Sequence, residues 1–339
     1  MLQVLKRSNA VLLIALACLT LLLAGCGGKE TANQGSTTAP SPSPNSTEEA
    51  TAAATRLITD DLGRELKVPT APKRIVAAEF SSELLALGIK PIGAGDNSFK
   101  IVYTFDEMND VARIGDPPSS EVIVELAPDL VVAPTVFLDI YPEQMEQIEK
   151  ISPVYYISFE QDPIYGIFTK LANLVGKDQE ANAWIKEYEQ EAATARAALK
   201  DALGEETVTI FRVEKGRLRI YLNRNFAGYM LHSSLQASSP EAVAAEIEKN
   251  PFGSAIEISL EMLPNYAADH ILLIVRDEGE DQDAFEEIEQ LELWKSLPAV
   301  QNGHVYKLET DKYYGSDIIT IRETMKETAA MLVEGAKQP

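Results

Sequence analysis

Histidine and cysteine are nearly missing from this chain, which carries three and two of them in 339 residues. His232, His270 and His304 fall in no H-x-x-H or H-E-x-x-H spacing, so direct binding of bare zinc or manganese is not expected and no residue is assigned to a metal. Cys18 lies inside an N-terminal apolar run and Cys26 just after it. A body folded beyond residue 26 therefore has no internal disulfide and no thiol for catalysis. Positive charge is also scarce: 30 Lys and Arg against 52 Asp and Glu give a net charge of −22. Phosphate binding wants a basic surface, so nucleic acid is excluded as a partner. No G-x-S-x-G, P-loop or post-strand G-x-G-x-x-G is present, and Gly93-Ala94-Gly95 lacks the third glycine. A hydrolase, which needs a nucleophile and a base, is a weak alternative on that count.

What the chain does have begins at its N-terminus. Lys6 and Arg7 precede an apolar run from Ala10 to Ala24. At about 15 residues it falls short of the ~20 that span a bilayer, and it reads as the core of a secretory leader. The run ends Leu23-Ala24-Gly25-Cys26, which resembles a bacterial lipoprotein signal. That resemblance implies loss of residues 1–25, a lipid on Cys26, and a membrane-anchored position on the extracytoplasmic face. Losing Lys6 and Arg7 would take the net charge from −22 to −24. Residues 26–56 are rich in Gly, Ser, Thr, Ala and Pro without apolar periodicity, so a disordered tether is expected. Its reach of about 30 Å keeps a folded body near the membrane without orienting it.

From residue 57 onward, apolar runs alternate with helical periods. Lys73 to Glu79, Ile89 to Ala94, Asp129 to Ala133 and Val154 to Ile157 read as strands. Ser81 to Gly88, Tyr141 to Lys150 and Tyr165 to Val175 read as helices, with Ser81-Ser82-Glu83 offering an N-cap and an early acid. Short connections between such units describe a parallel-rich sheet. The longest helical pattern, Asp178 to Leu203, contains no Gly or Pro, and Ala181, Trp184, Ile185 and Tyr188 form its stripe. A helix of ~39 Å is either a rigid bridge or an ordinary surface helix. A second series follows Gly204. Strands at Thr207 to Val213 and Arg217 to Leu222 flank the turn Glu214-Lys215-Gly216. Then come a helix from Phe226 to Gln236, a polar stretch, a strand from Asp269 to Val275 and, from Phe285 to Leu297, a helix or broken helix. Gly303 to Leu308 is a late strand, and Asp317 to Glu334 a last helix with Ile318, Ile321, Met325, Thr328 and Leu332 on one side.

One pattern occurs twice. Ser119-Ser120-Glu121 leads through a short helix to Asp129 and an apolar strand, and Ser259-Leu260-Glu261 leads likewise to Asp269. The Asp follows the Glu by eight residues in both copies, which lie 140 residues apart. The matched offsets indicate two related lobes; the general similarity of helix–strand units is the plainer alternative.

Several stretches together resemble the periplasmic-type, metal-chelate substrate-binding proteins of ABC importers, the group that carries ferric siderophores, haem and cobalamin. They are Thr59-Asp60-Asp61-Leu62-Gly63-Arg64, Pro72-Lys73-Arg74-Ile75-Val76, Leu84 to Gly93, Glu121 with Leu126-Ala127-Pro128-Asp129, Trp184 to Tyr188, Trp294 to Val300, and Asn302-Gly303-His304-Val305-Tyr306. Phe211-Arg212 with Arg219-Ile220-Tyr221 is most similar to the ferric-hydroxamate binders. The resemblance implies an α/β fold of two lobes, each with a parallel-rich central sheet flanked by helices. The lobes would occupy 57–177 and 204–339, joined by one long rigid helix at 178–203. It implies a binding protein, not an enzyme, that captures a ferric siderophore between the lobes and delivers it to a dimeric ABC permease. Haem, cobalamin and ferric citrate are the alternative chelates. No resident cofactor is expected, because iron enters only inside its chelator. Glu121 and Glu261 are implied to dock on permease arginines, one lobe per subunit.

A chelate whose iron is already coordinated needs aromatics, hydrogen-bond donors and arginines. Arginine forks suit hydroxamate, catecholate or carboxylate oxygens. The second lobe offers Arg212, Arg219, Arg224 and Arg276 with Tyr221, Phe226, Tyr313 and Tyr314. The first offers Phe80, Asn97, Phe99 and Phe137 in loops beyond strands, where open α/β sheets present ligands. Arg212 is the leading candidate, and each has a plainer role as surface charge or core aromatic.

Overall fold

The computed structural model describes residues 54–224, 226–276, 279–313 and 315–337. The expected leader, Cys26 and nearly all of the tether lie outside them. The first element is an antiparallel hairpin, β1 (Thr55–Thr59) and β2 (Glu65–Pro69). Its turn is held by Asp60, whose carboxylate accepts from the backbone N–H groups of Leu62 and Arg64, both at 3.0 Å, and pairs with the Arg64 guanidinium.

The first lobe contains β3 (Ile75–Ala77), β4 (Gly93–Ala94), β5 (Ala112–Arg113), β6 (Leu130–Pro134) and β7 (Val154–Ile157). They form one sheet in the order β5-β4-β3-β6-β7 with every pairing parallel. Continuous apolar runs suit strands covered on both faces. Alternate side chains separate the two faces. Ile75, Ala77, Leu130, Val132, Tyr155 and Ile157 enter a core shared with the other lobe, while Val76, Val131, Ala133 and Tyr156 enter an outer one. The chain leaves β3 toward β4 on one side and later returns to β6 on the other. Strand order therefore reverses between β3 and β6, which opens a crevice at their carboxyl ends.

The second lobe contains β8 (Val208–Glu214), β9 (Arg217–Tyr221), β10 (Ala255–Ile258), β11 (His270–Val275) and β12 (Val305–Leu308). Their order is β10-β9-β8-β11-β12. β8–β11 and β11–β12 are parallel, whereas β8–β9 and β9–β10 are antiparallel. This sheet is therefore parallel on one side only. The two-residue turn at Lys215 and Gly216, with φ of 52° and 66°, can join only antiparallel neighbours. β10 and the helix Glu241–Lys249 occupy the stretch that reads in sequence as merely polar.

The helix Asp178–Leu203 connects the two sheets and has the bounds expected from sequence. Its buried residues Ala181, Tyr188, Ala192, Leu199 and Leu203 recur at heptad-like intervals. Near its start, Trp184 meets Phe168 edge-on at 5.2 Å and stacks on Tyr188 at 5.6 Å. Further along, the Tyr188 hydroxyl donates to Ser234 at 2.5 Å and Arg196 donates to the Ser234 carbonyl at 2.6 Å. The last helix, Ile318–Gly335, lies beside it, and Arg322 forks onto Glu191 with two bonds of 2.6 Å. That helix also reaches back to the first lobe. Glu83 Oε1 accepts from the Ile318 backbone N–H at 3.4 Å, and the Tyr103 hydroxyl donates to Glu327 at 3.1 Å. The shared core runs from Val68 to Leu332, so the lobes are braced against each other rather than strung on a loose hinge.

Candidate functional site

Two cavities lie at the carboxyl ends of the sheets, between the lobes. The first, of about 340 Å³, sits at the reversal between β3 and β6. Glu79 and Phe80 follow β3, Asn97 follows β4, Phe137 follows β6 and Phe159 follows β7. The other lobe contributes Arg224, after β9, and Gly315, Ser316 and Asp317, just before the last helix.

Phe80 precedes the helix Ser81–Ala86 in a left-handed conformation with φ 70°. Few bulky residues adopt it, and such strain clusters at ligand-binding surfaces. Its ring packs on Phe159 at 5.3 Å, and the Arg224 guanidinium lies 5.5 Å from the Phe159 centroid. Arg224 is 9% exposed, and burial lowers its pKa. Its Nη1 makes no hydrogen bond among the described residues. An unmatched buried polar group costs about 1–3 kcal/mol, so a ligand oxygen placed there recovers what the free protein lacks.

Because Phe80 occupies the N-cap, Ser81 and Ser82 do not cap the helix as the sequence suggests. Both hydroxyls are buried without a hydrogen-bond partner among the described residues. Glu83 is 2% exposed, and burial beside Asp317 raises its carboxyl to about 8. Burial likewise raises Glu79 to about 7, against the 2.9 Å hydrogen bond it accepts from Asn97.

The second cavity, about 1020 Å³, is lined by Phe99, Val102 and Phe105 of the first lobe and by Arg212, Arg276 and Thr310 of the second. Val208 and Ile210 on β8 face the shared core, and Arg212 is next on that face, where the core ends. Arg212 is 4% exposed and its Nε is unpaired among the described residues. Arg276 is exposed and approaches Asp281 at 3.9 Å. Arg113 lies 3.9 Å over the Phe99 ring.

The structure thus gathers Phe80, Asn97, Phe137 and Arg224 in one cavity and Phe99, Arg212 and Arg276 in the other. Arg219, the register partner of Arg212, lines neither and pairs with Glu214 at 3.0 Å. Tyr221 and Tyr313 are buried in the shared core, with the Tyr313 hydroxyl 3.0 Å from that of Thr328, and they too are away from both linings. Tyr314 and the Phe226 side chain lie outside what the structure describes. Sequence reasoning missed Phe159, Glu83 and Asp317 as lining residues, along with the exposed rim pair Val102 and Phe105. For Phe159 the available signal was its place just past β7, equivalent to that of Phe137 after β6.

Glu121 and Glu261 are both exposed. Glu121 lies in the first turn of the helix Ser120–Leu126, where Ser119 accepts from the Val122 N–H at 3.4 Å. Glu261 lies in the turn Leu260–Met262, and a hydrogen bond with Ser259 holds its carboxyl below the usual range. Exposed apolar residues accompany each: Val124 near the first, Leu260 and Met262 beside the second.

Comparison with known proteins gives a consistent picture. A family model described as periplasmic binding protein matches residues 79–311. The chain is 29% identical over 262 residues to the iron(3+)-hydroxamate-binding protein FhuD of Bacillus subtilis (strain 168), covering 76% of this chain and 80% of that one. With the iron(3+)-hydroxamate-binding protein YxeB of the same organism the identity is 25% over 336 residues, covering 98% and 99%. The structure of FhuD2 from Staphylococcus aureus with bound ferrioxamine B aligns with a TM-score of 0.67 at 20% identity, covering 78% of this chain and all of that one. That likeness shows the fold.

Proposed function

The chain belongs to the periplasmic binding protein family, whose members bind solutes and are not enzymes, and from that premise we propose that it captures a ferric siderophore of the hydroxamate class between its lobes. The observation that carries this reading is Arg224, buried with an N–H unpaired among the described residues, in a cavity walled by Phe80, Phe137 and Phe159. A guanidinium of that kind suits chelate oxygens, and aromatic walls suit an apolar chelate body. The ferric trishydroxamate core is neutral, since each hydroxamate bears one negative charge. In their ionised forms, the carboxyl groups of Glu79, Glu83 and Asp317 in the same cavity disfavour the strongly anionic ferric tricatecholates, and ferric citrate with them. The names of FhuD and YxeB point the same way.

Delivery is to an ABC permease dimer, with Glu121 and Glu261 meeting arginines of one subunit each. Both glutamates are exposed and flanked by exposed apolar side chains, as a docking surface requires. A lipid on Cys26 holds the protein on the extracytoplasmic face of the cell membrane. Iron is cargo within its chelate and not a resident cofactor. Gel filtration of the protein mixed with a ferric trishydroxamate tests the capture step. The chelate's visible absorption band should elute with the protein; a band that elutes only at the small-molecule volume rejects the proposal.

A further inference from the structure

The acidic side of the interlobe cavity has a feature that binding a neutral chelate does not use. Glu83 spends one carboxylate oxygen on the Ile318 N–H, and Asp317 spends one on the Ile319 and Thr320 N–H groups. The second oxygen of each, Glu83 Oε2 and Asp317 Oδ2, is buried with no hydrogen-bond partner among the described residues. The hydroxyls of Ser81 and Ser82, 1% and 0% exposed and lining the same cavity, are also unpartnered among the described residues. Glu79 completes the group. Structural capping accounts for the first oxygen of each carboxylate and not for the second. What is left is a concave set of acceptors, with two hydroxyls able to turn their lone pairs inward. An alkylammonium presents three N–H donors and no acceptor, and matches that set.

We propose that Glu79, Glu83 and Asp317, with Ser81 and Ser82, form a subsite for a primary ammonium carried on an arm of the chelate. The proposal rests on the chelate-binding reading above and names the substrate feature that this cavity selects. Arg224, on the far lobe, would face the iron-bound oxygens while the arm lies across toward the last helix. The other charges acting here are Lys100 and Asp116, near Glu79, and Asp162, near Arg224. Glu79 and Glu83 titrate near neutrality in the free protein. An ammonium between them favours their ionised forms, so binding releases protons and tightens as pH rises through that range.

The test uses two ferric trihydroxamates that differ only in a terminal amine, free in one and N-acetylated in the other. Calorimetric titration of the protein at pH 8 should give about tenfold or tighter binding of the free amine, the scale of a charge-assisted hydrogen bond. The preference should shrink as pH falls to 6. In Glu83→Gln and Glu79→Gln, which keep shape and the acceptor oxygen, the ratio of the two dissociation constants should fall toward one. Equal dissociation constants in the unmodified protein would overturn the ammonium subsite while leaving chelate capture intact. If neither form binds, chelate capture itself fails and the subsite with it.

Discussion

Asp129 and Asp269 occupy equivalent positions in the two lobes and make equivalent bonds. Asp129 accepts from the backbone N–H groups of Lys73 at 2.8 Å and Arg74 at 3.0 Å. Asp269 accepts from the Thr207 N–H at 2.8 Å and its hydroxyl at 2.9 Å. Each stands just before a parallel strand, β6 or β11, and ties down the start of that strand's neighbour, β3 or β8. The repeated Asp is therefore a strand clamp. Asp129→Ala and Asp269→Ala should each cost about 1–3 kcal/mol in chemical denaturation, because backbone donors lose their acceptor. A loss within about 0.5 kcal/mol, the range of ordinary surface changes, would contradict the assignment.

Glu83 makes stability depend on pH in a defined direction. Its folded pKa of about 8 lies above that of an unfolded carboxyl, so the folded state holds a proton that the unfolded chain gives up. The stabilisation is complete below the unfolded pKa and is lost as pH rises through about 8. Glu83→Gln should therefore match the ligand-free parent near pH 5 and exceed it at pH 9, by a few kcal/mol at most. Denaturation at the two pH values checks this, and a difference independent of pH would count against it.

Arg224→Ala should weaken ferric trishydroxamate binding by about 10–100-fold, the scale of lost charged hydrogen bonds. Thermal stability should change little, because among the described residues the guanidinium leaves an N–H unpaired. Arg219→Ala, at a residue paired with Glu214 and away from both cavity linings, should leave affinity as it was. Titration of both variants separates a cavity arginine from a sheet arginine.

Replacing Glu121 and Glu261 together with Ala should abolish chelate uptake by cells while leaving affinity for the chelate unchanged. Normal uptake by the double variant would remove both residues from docking.

Much of the scaffold was legible in the sequence because it rests on local periodicity. The helix Asp178–Leu203 has no breaker within it, and β7 is an uninterrupted apolar run, so both could be delimited to the residue. The half-buried edge strand β10 carries little alternation and was invisible as a strand. Cavity-lining residues were legible where topology alone places them, as for Phe80 and Phe137 beyond the central strands. Glu83 looked like an ordinary first-turn helix acid. Its hydrogen-bond donor is the Ile318 backbone N–H, 235 residues away, which no local pattern encodes. Tyr313 illustrates the reverse: in sequence it reads as a ligand contact, whereas the structure buries it with its hydroxyl 3.0 Å from that of Thr328.

The most direct measurement is a calorimetric titration of the protein with a ferric trishydroxamate, a ferric tricatecholate and haem under the same conditions. One trishydroxamate should bind per protein at micromolar or tighter affinity, about −8 kcal/mol, with the tricatecholate and haem much weaker. No heat from the trishydroxamate, or a preference for the tricatecholate, would contradict the account.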